Sequence, residues 1–195
     1  MDIIEIVVEK HINDEELLMK VGDVLLHLIT QSSKQKETIK YISKTGLNIL
    51  SNIFDKVDIN SPEVYKIFIK ILKILIDDKS FKYDEDLEKI IKNLFSKFEK
   101  NDDIIIYLLE LITSLFSNKA NIELFSKTLL NEIVKIISNT DSEIIGNHCI
   151  HILDILSNET DLKENIRHYK SISFIIKLLT KFQNNTVLTF VIISI

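Results

Sequence analysis

One stretch of the sequence concentrates the residue types that could carry catalytic or metal chemistry. His148, Cys149, His151 and Asp154 all lie within IIGNHCIHILDILSN, residues 144–158. Imidazole, thiolate and carboxylate groups are the usual ligands of zinc, and a cysteine beside a histidine can act as a nucleophile. Either function requires the side chains to converge on one point.

Helical spacing argues against such convergence. His148, His151 and Asp154 follow each other at intervals of three, so they drift around a helix by about 120° in total. Zinc-binding helices usually place two histidines four residues apart. Cys149 has no second cysteine to pair with and no feature that would activate its thiol. We therefore predict no metal site and no catalytic residue here, and we expect Cys149 to pack in the core as a small apolar residue.

The rest of the chain carries no motif of a known catalytic or cofactor chemistry. It has no glycine-rich phosphate loop, no G-x-S-x-G and no C-x-x-C. The acid pairs Asp77–Asp78 and Asp102–Asp103 fall between apolar segments, where helix capping explains them. The basic stretch KQKETIKYISK, residues 34–44, lacks arginine and belongs to a chain of net charge -5, so we interpret it as a solvated helix. We predict a protein that is not an enzyme, uses no cofactor and binds no nucleic acid.

Composition predicts a soluble, reduced protein. The 195 residues are 46% hydrophobic and 27% charged, which is ordinary for a globular domain. A single cysteine excludes an internal disulfide and favours a reducing compartment. The N-terminus is acidic, unlike a signal peptide, and the uncharged run TVLTFVIISI is about half of the ~20 residues that a membrane span needs. We expect a cytoplasmic or nuclear protein that is not secreted and has no membrane span.

Two apolar patterns recur along the chain at intervals of about 42 residues, and a fixed period of this kind indicates a repeat architecture. The first pattern is an adjacent pair followed by a third residue three further on, and the second is a pair three apart. Both fit one stripe of an α-helix. The first pattern comprises Ile3–Ile4–Val7, Ile49–Leu50–Ile53, Ile90–Ile91–Leu94, Ile133–Val134–Ile137 and Ile175–Ile176–Leu179; the second comprises Leu26–Ile29, Leu72–Leu75, Ile112–Leu115, Leu153–Leu156 and Ile192–Ile195.

Clusters of helix-capping residues separate the patterns, among them NDEE, DINSPE, KNDD and NTDSE. Pro62 follows Ser61 where the first turn of a helix is expected, and a proline there loses no hydrogen bond. Sustained alternation and turn residues are lacking, which disfavours strands. The sequence therefore predicts an all-α protein whose repeated units stack, because one unit cannot bury its own apolar stripe.

Three stretches resemble the armadillo repeat family. KENIRHYKSISFIIKLLTKF, residues 163–182, resembles a short first helix that leads into the IPxLVxLL second helix. DSEIIGNHCIHILDILSN resembles the third helix, and KTGLNILSNIF, residues 44–54, resembles the second, with Gly46 at the junction glycine. The resemblance implies a right-handed α-solenoid of about four three-helix repeats plus partial terminal repeats, in one domain spanning 1–195. The approximate repeats are 1–30, 31–78, 79–118, 119–158 and 159–195.

The chain departs from the family at the groove positions of its nuclear-import adaptors. Those adaptors clamp a basic peptide with a Trp and an Asn four residues later. The chain contains no Trp, and none of the matching positions is Asn. These positions are Val24–Leu28, Lys70–Ile74, Glu110–Ser114 and His151–Ile155. We therefore expect no import-signal recognition by that ladder.

The resemblance implies that the third helices of successive repeats form one concave groove. We predict a non-enzymatic scaffold or adaptor that binds a protein or peptide partner there. The alternative is an armadillo-type regulator, of the nucleotide-exchange or the effector type, that acts on a small GTPase or on an Hsp70. The chain stops within a third helix of the fifth repeat, which predicts either a fragment or self-association through that end. The predicted partner-binding residues are Lys66, Lys70, Tyr107, Glu110, Ser114, Asn147, His148 and His151, flanked by Lys20, Val24, Leu28, Ile74, Ile106 and Ile155.

Overall fold

Seven helices make up nearly all of the computed structural model wherever it is described. The described residues are 2–31, 61–77, 85–158 and 179–182, together with positions 37, 50, 53 and 54. The helices are α1 (Asp2–Lys10), α2 (Glu15–Gln31), α3 (Pro62–Asp77), α4 (Glu85–Lys97), α5 (Asp102–Phe116), α6 (Lys119–Asn139) and α7 (Glu143–Ser157). Over these ranges there is no strand, so the all-α prediction is confirmed.

The helices begin at the capping residues that the sequence supplies. The side chain of Asp14 accepts a hydrogen bond from the backbone N–H of Leu17 at 3.0 Å, at the start of α2. Asn101 caps α5 through the N–H of Ile104 at 3.1 Å. Each cap satisfies one of the donors that the first helical turn leaves unpaired. Pro62 is the first residue of α3, as predicted.

The described residues fall into two compact units, one within Met1–Lys97 and the other within Phe98–Ile195. The first unit contains α1 to α4, and the second contains α5 to α7 and residues 179–182. In the described part of the chain, no helix is both long enough and apolar enough to cross a membrane.

In the first unit, α2 and α3 run parallel and side by side. At their N-terminal ends, the hydroxyl of Ser61 donates to the carboxylate of Glu15 at 2.6 Å, across a sequence separation of 46. Further along α2, Gly22 lies against Ile67 and Phe68 of α3. The two contacts lie at different points along the helices, and both join residues at nearly the same sequence separation. The helices α2 and α3 must therefore run in the same direction. Gly22 permits this approach, because a Cβ there would overlap the Cγ2 methyl of Ile67.

An aromatic cluster joins α3 to residues on either side of it in the first unit. Tyr65 of α3 is fully buried, and its ring stacks on that of Phe54 at 6.0 Å between centroids. Lys97, at the end of α4, donates its ammonium to the Tyr65 hydroxyl at 2.5 Å. The same ammonium lies 4.7 Å from the centroid of the Tyr65 ring, a cation–π geometry. The buried hydroxyl therefore has a partner, which its burial requires.

In the second unit, α5 and α7 are structural equivalents. Both are 15 residues long, and their N-caps, Asn101 and Ser142, are 41 apart in the sequence. Their C-caps, Ser117 and Asn158, have the same separation. The helix α5 packs mainly against α7 and only lightly against α6, its neighbour in sequence. Preferential contact between equivalent helices is the packing expected of stacked repeats.

The prediction of three helices per repeat is wrong for residues 119–158. The residues assigned to a first and a second helix form one continuous helix, α6, which spans Lys119–Asn139. This 21-residue segment contains neither glycine nor proline, so nothing in it interrupts the hydrogen-bond ladder. The unit there is a pair of helices, α6 and α7.

The predicted core positions are mostly buried where they are described. In the first pattern Leu50, Ile53, Ile90, Ile91, Leu94, Ile133 and Ile137 are buried, whereas Val7 and Val134 are half-buried. In the second pattern Leu72, Leu75, Ile112, Leu115, Leu153 and Leu156 are buried, and Ile29 is buried beside a half-buried Leu26. Leu179 departs from its predicted pattern, because it is 39% exposed. The first-pattern residues Ile175 and Ile176, the second-pattern pair Ile192–Ile195, Gly46 and most of the basic stretch 34–44 lie outside the described residues.

Three of the acids in the predicted pairs, Asp77, Asp102 and Asp103, lie at helix ends. Asp102 and Asp103 open α5, where carboxylates interact favourably with the helix dipole, while Asn101 is the capping residue itself. Asp77 is the last residue of α3 and does not cap a helix start. Its carboxylate lies 3.4 Å from the ammonium of Lys73, one turn earlier. Asp78 lies outside the described residues.

Candidate functional site

The predicted groove positions of the first unit lie on the accessible sides of α2 and α3. Lys20 and Lys70 are exposed, and Val24 and Leu28 are 54% and 43% exposed, large values for apolar side chains. On α3, Lys66 and Ile74 are half-buried. Because α2 and α3 pack parallel, positions 46 apart lie next to each other, about 8–10 Å between helix axes. Lys70 therefore neighbours Val24, and Ile74 neighbours Leu28.

Ion pairs within each helix surround this face of the first unit. The ammonium of Lys20 is 2.5 Å from the carboxylate of Glu16, and that of Lys66 is 2.9 Å from Glu63. The pKa of Lys20 is raised, first by its hydrogen bond to Glu16 and second by the negative charge of that carboxylate. Lys66 is the more enclosed of the two lysines, with 15% of its side chain exposed. In both pairs the acid lies one turn nearer the helix N-terminus than its lysine.

The groove positions of the second unit lie on α5 and α7. Asn147 and His151 are exposed, whereas Tyr107, Glu110, Ser114 and His148 are half-buried. The flanking residues Ile106 and Ile155 are half-buried as well. The cap spacing makes Glu110 the equivalent of His151 and Tyr107 the equivalent of His148. Glu110 is half-buried and so more enclosed than its equivalents Lys70 and His151, which are exposed.

The prediction that Cys149 packs in the core is confirmed, and the equivalent positions on the other three helices are buried as well. Gly22, Phe68, Leu108 and Cys149 are equivalents in the predicted repeats, and all four are buried. The structure thus separates an inward row from an accessible row on each helix. It brings the predicted residues together within each unit.

The Cys149 region has the geometry of packing and not of catalysis. The thiol is fully buried, and this burial raises its pKa to about 12. At neutral pH the thiol is therefore protonated and is a poor nucleophile. His148 is half-buried and His151 is exposed, so of these three side chains it is Cys149 that faces the core side of α7. In the described residues, no three His, Cys, Asp or Glu side chains are grouped closely enough to hold a metal ion.

Two features of the second unit were not predicted. Gly146 of α7 lies against the ring of Phe182, which is only 6% exposed, and a Cβ at Gly146 would overlap that ring. Nearby in the chain, Lys181 forms a 2.8 Å ion pair with Asp141. These contacts hold residues 179–182 against the start of α7. A glycine inside an apolar helical pattern was the available signal, because such a residue often marks a close approach.

Comparison with known proteins supplies no relative: no protein-family model, no curated protein and no solved structure matches this chain. The class of protein is therefore defined by its fold alone. It is an all-α protein in which equivalent helices pack on each other, α2 on α3 in the first unit and α5 on α7 in the second.

Proposed function

We propose that the protein is a non-enzymatic scaffold or adaptor of the α-solenoid type, which binds a protein or peptide partner in a groove. The partner-binding surface is supplied within each unit by the accessible rows of its paired helices, α2 with α3 in the first unit and α5 with α7 in the second. In this proposal the helices of each unit stack as armadillo-like repeats of a right-handed α-solenoid. The partner-binding residues are Lys66, Lys70, Tyr107, Glu110, Ser114, Asn147, His148 and His151.

One observation carries the proposal. All of the predicted groove positions are exposed or half-buried, while the inward row of the same helices (Gly22, Phe68, Leu108 and Cys149) is buried. Of the five large apolar residues with the highest exposure among the described ones, Val24 and Leu28 occupy groove positions. Exposed apolar side chains grouped on one face are typical of interaction surfaces.

The test exchanges two groove charges. We expect Lys70→Glu combined with Glu110→Lys to abolish affinity capture of the native partner, because each new charge repels the group that the original charge attracted. The helical circular dichroism should be unchanged, and the melting temperature nearly so, since Lys70 is exposed and a lysine at position 110 can extend its charged end into water.

The matched control exchanges the same charges elsewhere. Glu9→Lys combined with Lys89→Glu also leaves the net charge unchanged, and both residues are exposed on helices outside the groove rows. This control should capture the partner as the wild type does. Equal capture by the groove variant and the control would contradict the proposal.

A further inference from the structure

Four apolar residues form a strip along one side of α2. Leu17 and Val21 are half-buried, and Val24 and Leu28 are 54% and 43% exposed. Their spacing of four, three and four residues keeps them on one helical stripe. Gly22, which meets α3, lies about 100° or more around the helix from each of the four. The helix α3 therefore packs on a different side of α2 from the strip.

The equivalent side of α3 is a surface on which a helix packs. Ile67 is the equivalent of Val21, and its Cγ2 methyl lies against Gly22 of α2. In the predicted repeats, polar residues interrupt this side of α3, α5 and α7, whereas all four residues are apolar in α2. The strip thus repeats a packing surface of the α2–α3 pair in a more apolar form. The equivalent sets are Glu63–Ile67–Lys70–Ile74, Asp103–Tyr107–Glu110–Ser114 and Ile144–His148–His151–Ile155.

The strip has the same pattern when it is followed in either direction. Its residues run Leu, Val, Val, Leu, and their spacing is symmetric as well. Two antiparallel copies of α2, related by a twofold axis midway between Val21 and Val24, would set Leu17 against Leu28 of the second copy. The same axis sets Val21 against Val24 of the second copy. A twofold contact needs a self-complementary patch of this kind, because both subunits use the same surface.

The charges beside the strip are self-complementary too. Glu16, Lys20, Asp23 and His27 are all exposed and follow one another along one edge of α2. In the antiparallel arrangement, Lys20 lies within about 3 Å, measured along the helix axis, of the level of Asp23 of the second copy. Glu16 is equally close to the level of His27, whose imidazole can donate to a carboxylate in either protonation state. A parallel arrangement would instead place each charge beside an identical one.

We propose that two copies of this chain associate through α2, antiparallel about a twofold axis between Val21 and Val24. The strip is the centre of the contact, and the charged edge is its rim. The Lys20–Glu16 pair within each helix is well exposed, so it is weak and does not prevent contact with the second copy. This association goes beyond the proposed function and does not depend on it.

The contact is small, so the dimer should be weak. The four apolar and four charged residues of each copy are fewer than the roughly 20 residues a side that a stable interface uses. We therefore expect a dissociation constant of micromolar order. Sedimentation velocity of the full chain, from low micromolar to several hundred micromolar, measures it. The average mass should rise toward that of a dimer as the concentration increases.

The first variant removes the apolar centre of the contact. Val24→Lys should keep the chain monomeric over the whole range, because it places a charge inside the strip and close to Lys20 of the second copy. Lysine is a good helix former, so α2 itself should remain intact. Ile144→Lys is the matched control, because Ile144 is 59% exposed on α7. This control should dimerise as the wild type does.

A charge exchange tests the antiparallel alignment. Lys20→Glu and Asp23→Lys should each weaken the dimer roughly tenfold, because each sets like charges against one another at two symmetry-related points. An equimolar mixture of the two variants should regain association close to that of the wild type, since each copy then meets charges opposite to its own. Recovery in the mixture also shows that both variants are folded.

Three outcomes would overturn the inference. The first is a wild type that stays monomeric over the whole concentration range. The second is a Val24→Lys variant that dimerises as the wild type does, because the contact would then lie elsewhere on the chain. The third is a mixture of Lys20→Glu and Asp23→Lys that associates no more strongly than either variant alone.

Discussion

The buried thiol of Cys149 makes the stability of the protein depend on alkaline pH. Its pKa is about 12 in the folded state and near 9.0 when the group is exposed in the unfolded chain. Between these values the folded state holds one proton more than the unfolded state. Cys149 therefore contributes stability that is fully present below pH 9 and lost as the pH rises through the window, at up to about 1.4 kcal/mol per pH unit.

The first residue-level prediction compares the wild type with Cys149→Ala. Near pH 7.5 the alanine variant should be less stable by about 1–2 kcal/mol, through the loss of a buried side chain. This difference should shrink from pH 9 to 10.5, because only the wild type carries the titrating thiol. Urea unfolding at several pH values measures it. A difference that stays constant over this range would contradict the assigned burial.

Gly146 supplies a second prediction at the same scale. An alanine there gains helix propensity of up to about 1 kcal/mol, but its methyl group overlaps the ring of Phe182. Phe182 has little room to move because it is buried, so we expect Gly146→Ala to destabilise the protein by about 1–3 kcal/mol. Chemical unfolding measures the change, and the loss should be smaller in a Phe182→Leu background.

The control for this prediction is Ile144→Ala. Ile144 is on the same helix, two positions earlier, and is 59% exposed, so its truncation should change stability by less than about 0.5 kcal/mol. If Gly146→Ala were neutral or stabilising, the ring of Phe182 would not be held against α7 as the structure has it.

At the scale of elements, the sequence predicted the positions of helices better than their number. The caps at Asp14, Asn101 and Ser142, and Pro62 at a first turn, follow from local chemistry that the sequence displays directly. The division of 119–139 into two helices relied on the pattern of a family, and the residues themselves contain no helix breaker. In residues 119–139, local helix propensity therefore outweighs the family pattern, and one continuous helix forms.

Inter-helix contacts were harder to predict than caps. The stacking of α2 on α3 was implied by the repeat, yet the hydrogen bond from Ser61 to Glu15 depends on the exact lateral register of two helices. The contact of Lys97 with the buried hydroxyl of Tyr65 depends likewise on how α4 meets α3. Periodicity specifies which side of a helix faces inward, but it does not specify which side chain it meets there.

Helix burial leads to a prediction at the scale of the whole chain. The helices α3 and α5 each bury eight residues, whereas the longer α2 buries four. Stability is distributed unevenly in proteins, and amides in well-buried elements open last. We therefore expect the backbone amides of α3 and α5 to exchange more slowly than those of α2. Hydrogen exchange measured by mass spectrometry under native conditions tests this.

The comparison of α2 with α3 is internal to one compact unit, so it has its own control. Equal protection of the two helices, or slower exchange in α2, would contradict the prediction.

Of all parts of the function, the identity of the partner is the one that the sequence specifies least. Fold follows from apolar periodicity, which involves dozens of residues, whereas partner choice depends on a few surface side chains. Val24, Leu28 and Lys70 lie at positions that the repeat identifies as accessible. The repeat specifies that these positions are accessible, because the opposite side of each helix is buried, but it does not specify which side-chain types occupy them.

Because α5 and α7 are equivalent, a chain of this kind could lengthen by tandem duplication of one unit. Ser142 caps α7 in the same way that Asn101 caps α5. A tandem duplication of the segment from Asp102 to Ser142 would therefore place a capping serine directly before a second copy of α5, with no new junction chemistry. The gene could lengthen by whole units while each new surface met a neighbour of the kind it already packs against.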